Sequence, residues 1–139
     1  MTNKKLILQI DFRAGLPIYT QIVNQVQAQV GGGVLKPGDQ LPTVRALAEE
    51  LRVNFNTVAR AYRILDEARI ISTQQGRGTY ITDVPPPKVT EELRRESLEV
   101  LTQRYISEAT RLGFSKSEIS QMIKDQLKAS KEMQEIESE

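Results

Sequence analysis

The sequence runs to 139 residues, 39% hydrophobic and 27% charged, with 19 Lys/Arg against 18 Asp/Glu and a net charge of +1. That is globular composition, sized for one domain or a small domain with an appendage. Cysteine and histidine are both absent. Disulfides, thiolate chemistry and zinc fingers are therefore excluded, along with the commonest general acid/base and metal ligand. The chain is not expected to be an enzyme or to need a metal or cofactor. Leu6-Ile7-Leu8 is interrupted by Gln9 and Asp11, too short an apolar run for a membrane span or a signal peptide, so a cytoplasmic protein is expected.

The net charge hides an asymmetry. Residues 1–87 carry ten Lys/Arg against seven Asp/Glu, whereas residues 88–139 carry nine against eleven. Between residues 43 and 81 every cation is arginine: Arg45, Arg52, Arg60, Arg63, Arg69 and Arg77. The planar guanidinium fork suits phosphate and guanine better than an ammonium point charge does.

In chain order, Leu6–Ile10 is expected to form a short strand. A helix follows, with Pro17 as its first residue. Ile18, Ile22, Val26 and Val30 recur every four residues, with Tyr19 and Val23 alongside, and the other side is rich in Gln and Asn. Gly31-Gly32-Gly33 ends it, and Pro37-Gly38 marks a turn. Thr43 then caps a short helix over Val44 to Leu51, with Val44, Leu47, Ala48 and Leu51 facing inward. Only Arg52, Val53 and Asn54 precede the next helix, whose Val58, Ala61, Tyr62 and Leu65 keep helical spacing through Ala68. Two short helices joined by so tight a turn make a helix-turn-helix candidate. Ile70–Thr73 and Thr79–Thr82 are β-rich around a glycine-containing tip, which is a hairpin signal.

Pro85-Pro86-Pro87 is a stiff spacer. The spacing predicts three parts: a winged domain over 1–84, a proline-rich linker over 85–89, and a helical hairpin over 90–139. In the hairpin, Leu98, Leu101, Tyr105, Ala109 and Leu112 form one stripe, broken by Gly113. Ser115-Lys116-Ser117-Glu118 is a capping box opening a second helix with Ile119, Met122, Ile123 and Leu127. The polar residues from Ser130 onward are expected to fray. A two-helix hairpin cannot enclose its own apolar face, and isolated helices are marginal in water. These two stripes are therefore expected to dimerise.

A helix-turn-helix lays the amino end of its second helix in the major groove. Asn54, Phe55, Asn56 and Thr57 would stand there, followed by Arg60 and Arg63. Amides pair with adenine, arginine pairs with guanine, and a helix N-terminus attracts phosphate. Arg45 is placed for phosphate. Gly76 and Gly78, among the five residues between the β-rich segments, would let backbone approach backbone at the tip, with Gln75 and Arg77 reaching an adjacent groove. Each feature has a plainer reading. Asn54 is a cap in any case, Phe55 could staple two helices, Arg60 and Arg63 could lie on a solvated face, and the glycines could mark any hairpin. Glu49/Glu50 and Asp66/Glu67 are expected on solvated faces rather than in acid/base roles. The joint order of elements favours DNA over an adaptor that buries the third helix in a protein partner.

The segments "PIYTQIVNQV", "GVLKPGDQLPTVRALAEELRVNFNTVARAYRILDEARII" and "QGRGTYI" resemble the GntR family of bacterial transcription regulators, and within it the short YtrA-type members. The resemblance implies a mainly α fold with a small β-hairpin wing, a winged helix-turn-helix followed by a two-helix dimerisation hairpin. It implies operator binding as a homodimer; twofold geometry then leads us to expect a near-palindromic operator, with repression the expected action although the sequence alone leaves activation open. It places DNA contacts at Arg45, Asn54, Phe55, Asn56, Thr57, Gln75 and Gly76, with Arg77 and Gly78 in the wing. Phe55 stands where many members carry arginine or proline, and Ala59 where arginine is common, so Arg60 is expected to take over a phosphate role. Fifty-two residues follow Pro87, which fits the YtrA-type pattern rather than the larger groups with an effector or aminotransferase-like domain. Any small-molecule effector is unknown, and its pocket would lie between the hairpin and the winged domain.

Overall fold

The computed structural model describes residues 6–83 and 89–137, with the backbone alone at 89, 90 and 133–137. The elements are α1 (Ile18–Gly31), β1 (Gln40–Leu41), α2 (Val44–Leu51), α3 (Phe55–Glu67), β2 (Ile71–Gln74), β3 (Gly78–Ile81), α4 (Val89–Arg111) and α5 (Lys116–Glu137). They fall into two compact units, Met1–Val100 and Leu101–Glu139. No helix among the described residues is long and apolar enough to cross a membrane.

The first unit is built on the predicted stripes. Ile22, Val23 and Val26 of α1 meet Leu47 of α2 and Val58, Ala61 and Leu65 of α3, all sealed from solvent along with Ile71 and Ile81. Each such Val, Leu or Ile side chain contributes roughly 1.5–3 kcal/mol on burial. Pro17 precedes α1 as its cap, with φ −54° and ψ 145°, rather than serving as its first residue. Its fixed φ suits either place, and the extended ψ sets the boundary.

Residues 6–10 correct the expectation of a strand. They form no ladder, because the glutamines of α1 take their backbone groups instead. Gln9 donates its N–H to Gln25 and accepts from the same amide, at 2.8 and 2.6 Å. Gln29 donates to the Ile7 carbonyl at 2.9 Å. The amide-rich side of α1 is thus a strap for the preceding segment.

The sheet holds an element the sequence reading missed. At the Pro37-Gly38 turn, Gly38 donates to the Ile81 carbonyl at 2.8 Å, and Ile81 donates back to Asp39 at 2.9 Å. Gln40 and Leu41 then pair antiparallel with Tyr80 and Thr79, so the strand order is β1-β3-β2. The wing is a three-stranded sheet.

The expected linker at 85–89 lies outside the described residues except for Val89, already in α4. The division between units falls within α4, because Leu93 packs on the first core and Asn24 donates to the Ser97 hydroxyl at 2.8 Å. In the second unit Gly113, at φ +95°, closes α4. The capping box forms as expected: Ser115 donates its N–H to Glu118 at 2.8 Å, and Glu118 donates back to the Ser115 hydroxyl at 3.1 Å. The backbone of α5 is helical past Ser130 and on to Glu137. Its acidic and amide residues are good helix formers, which explains the extension.

Candidate nucleic-acid interface

The turn between α2 and α3 is fixed by local chemistry. Thr43 accepts from the Ala46 N–H at 3.0 Å and caps α2. Arg52 closes that helix in the left-handed region, at φ 57° and ψ 46°, and Val53 donates back to Ala48 at 3.0 Å. Asn54 is extended, at φ −64° and ψ 137°, and its side-chain oxygen accepts from the Asn56 N–H at 2.8 Å. That oxygen is committed to the cap, so the NH2 group is what Asn54 has to offer outward.

Behind the turn, Val58, Ala61, Tyr62 and Leu65 bury one side of α3. Asn56, Arg60 and Arg63, spaced by four and three, share the opposite side and are exposed. Asn54 and Phe55 are also exposed at the helix start, and Thr57 is half-buried. Arg45, in the first turn of α2, is exposed. The amino end of α3 is therefore open to solvent, with four uncovered polar or aromatic residues around it.

Two details go beyond the sequence reading. The Arg60 guanidinium carbon lies over the Tyr19 ring of α1, 3.9 Å from its centroid. Arg60 is thus held by a cation–π contact rather than swinging freely on a solvated face. Second, Arg52 joins Arg45, Ala48, Glu49, Val53 and Phe55 around one open cleft of about 590 Å3. Sequence reasoning counted Arg52 among the arginines but gave it no role. The available signal was its place in the three-residue turn beside Asn54.

The wing strands run one residue closer to the tip on each side than the β-rich segments Ile70–Thr73 and Thr79–Thr82. Gln74 pairs with Gly78, leaving Gln75, Gly76 and Arg77 as a three-residue tip with Gly76 inside it. Arg77 donates to the Gln74 carbonyl at 2.9 Å across the turn. Gly76 has φ +79°, a value costly for any residue with a Cβ. A Cβ on Gly78 would come within 2.6 Å of the Gln40 side-chain nitrogen. Tyr80 donates its hydroxyl to the Arg77 carbonyl at 2.6 Å, bracing the tip from β3. Gln75 and Arg77 are exposed.

The second unit presents a different surface. Ile119 is buried and Ala109 and Ile123 are half-buried, but Tyr105, Met122 and Leu112 remain 43, 51 and 74% exposed, with Leu101 and Leu127 also open. Leu98, at the end of the first unit, is exposed as well. Tyr105, Ala109, Leu112, Ile119 and Met122 line a cleft of about 550 Å3 between α4 and α5. The paired carboxylates Glu49/Glu50 and Asp66/Glu67 are all exposed, and no group of metal-ligating residues occurs among the described residues.

The pattern described as "Bacterial regulatory proteins, gntR family" matches residues 18–81, from the start of α1 to the end of β3. The chain is 48% identical over 77 residues to the HTH-type transcriptional repressor YtrA of Bacillus subtilis (strain 168), a match covering 55% of this chain and 59% of that one. It is 40% identical over 111 residues to the HTH-type transcriptional regulator Rv1152 of Mycobacterium tuberculosis, covering 80% of this chain and 86% of the relative. Among solved structures, YtrA from Sulfolobus acidocaldarius, a GntR-family transcription factor, aligns with TM-score 0.51 at 33% identity over 88% of this chain and 97% of that one.

Proposed function

The chain belongs to the gntR family of bacterial regulatory proteins, and from that premise we propose that it is a sequence-specific repressor acting as a homodimer on a near-palindromic operator. The observation that carries this reading is the open, capped amino end of α3, with Asn54, Phe55 and Asn56 uncovered and Thr57 beside them. Seated in the major groove, that end offers the Asn56 amide to an adenine edge and the Thr57 hydroxyl to either kind of base. The helix dipole also places a partial positive charge at this end, toward the phosphates. Arg45 and Arg63 add full charges on either side, while Gln75 and Arg77 extend from the wing to an adjacent groove.

Homodimerisation is supported by the apolar surface of α4 and α5. Tyr105, Leu112, Met122 and Leu127 lie open on helices that a single chain leaves half-covered. A second copy of the same stripe would remove that area from water. Two α3 helices related by a twofold axis would then enter successive major grooves, about 34 Å apart.

Gel shifts test the division of labour. Arg45→Ala is expected to weaken binding to all duplexes and to flatten the salt dependence, because one fewer counterion is released. Asn56→Ala and Thr57→Ala are expected to relax base preference with less effect on non-specific binding. Unchanged affinity and preference in all three would remove α3 as the reading element.

A further inference from the structure

We infer that the exposed Phe55 ring reads the 5-methyl group of a thymine, so that each operator half-site carries a thymine opposite the start of α3. This rests on the DNA reading above and adds a contact to it. Phe55 is the first residue of α3 and is 50% exposed, although a staple between helices would be buried. It borders one open cleft together with buried Ala48 and half-buried Val53. Helical side chains lean toward the helix N-terminus, so a first-turn side chain projects past the end that enters the groove.

The charges around the ring suit a nucleic-acid occupant. Arg45 and Arg52 line the same cleft, one on α2 and the other in the turn, and both are exposed. Guanidinium groups flanking an apolar ring fit a duplex edge, where phosphates border the base pairs. Within the major groove only thymine offers a methyl group. Phe55 has no hydrogen-bonding atom, so it cannot satisfy the cytosine amino group and would leave it desolvated. Attraction to the methyl and exclusion of the amine therefore favour the same base.

The test uses the full-length protein and a duplex obtained by selection from random sequence. Each thymine in the selected site is replaced in turn by deoxyuridine, which removes only the methyl. At one position per half-site, wild-type affinity is expected to fall about fourfold, the worth of one buried methyl group. Phe55→Ala is expected to bind the thymine and uridine duplexes alike, while Phe55→Leu keeps part of the difference. 5-Methylcytosine at that position should bind wild type better than cytosine does. Indifference to every uridine replacement, or an unchanged thymine/uridine ratio in Phe55→Ala, would overturn the inference and leave the DNA reading intact. Failure of the wild type to select any sequence would overturn both.

Discussion

Arg60 stacks on Tyr19 at 3.9 Å, joining the middle of α3 to the first turn of α1. Such a contact at an open site contributes roughly 0.5–1 kcal/mol. Tyr19→Leu and Arg60→Ala should each lower the urea midpoint, and the double variant should fall less than their sum. A coupling of about 0.5–1 kcal/mol is expected from the cycle. Strict additivity would mean that the stack contributes nothing to holding α3.

Tyr62 donates its hydroxyl to the Pro42 carbonyl at 2.6 Å, locking α3 to the segment before α2. Burial raises its pKa well above the usual tyrosine value. The phenol therefore stays neutral in the folded chain after it has ionised in the unfolded one. Its contribution to stability is complete below pH ~10 and is lost as pH rises beyond that. Tyr62→Phe should cost about 1 kcal/mol at neutral pH and should reduce the fall in stability on the alkaline side. A pH series of urea melts checks both.

Gln21 is buried and makes three bonds to the segment before α1. It accepts from the Asp11 N–H at 2.9 Å and donates to the Asp11 and Leu16 carbonyls at 2.8 and 3.0 Å. Gln21→Leu leaves these backbone groups without their partner and should cost roughly 2–3 kcal/mol. Gln25→Leu, at a more exposed position, should cost less. Equal losses would mean that burial does not govern the strap.

Features governed by near neighbours were legible in the sequence. Thr43 and Asn54 cap the helices they were assigned, because a cap is a bond to the next turn. The Ser115/Glu118 box formed for the same reason. Features governed by distant partners were not legible. Gln40-Leu41 is a strand only because Tyr80 and Thr79 lie beside it, and nothing in a two-residue segment announces that. Leu6–Ile10 carries strand-like residues, yet amides on α1 satisfied its backbone first. The stack of Arg60 on Tyr19 depends on how α1 and α3 cross, which periodicity does not give. The candidate reading end was legible because a turn of three residues leaves little freedom, whereas the exact length of the wing tip came from strand register.

Arg52 sits at φ 57° without being glycine. Arg52→Gly should relieve the Cβ clash and raise stability by roughly 0.5–1 kcal/mol. The same change removes a cation from the Phe55 cleft and should weaken DNA binding, lowering the salt slope by about one. Opposite signs in urea melts and salt titrations are the expected signature. Loss of both stability and affinity would point to a structural role for the side chain.

Leu112 is 74% exposed on α4. Leu112→Glu should leave helix content by circular dichroism unchanged, since the side chain is open in the single chain. Sedimentation should nevertheless shift from dimer to monomer, because a carboxylate would then be buried without a partner at the interface. Operator affinity should fall with it. A dimer of undiminished strength would place the interface elsewhere.

Selection of binding sites from random duplexes by the purified wild-type chain tests the central claim most directly. The account expects an enriched, near-palindromic motif whose half-site centres lie about 10 base pairs apart or at a multiple of that spacing. Recovery of no motif, or of unpaired sites bound by single chains, would contradict it.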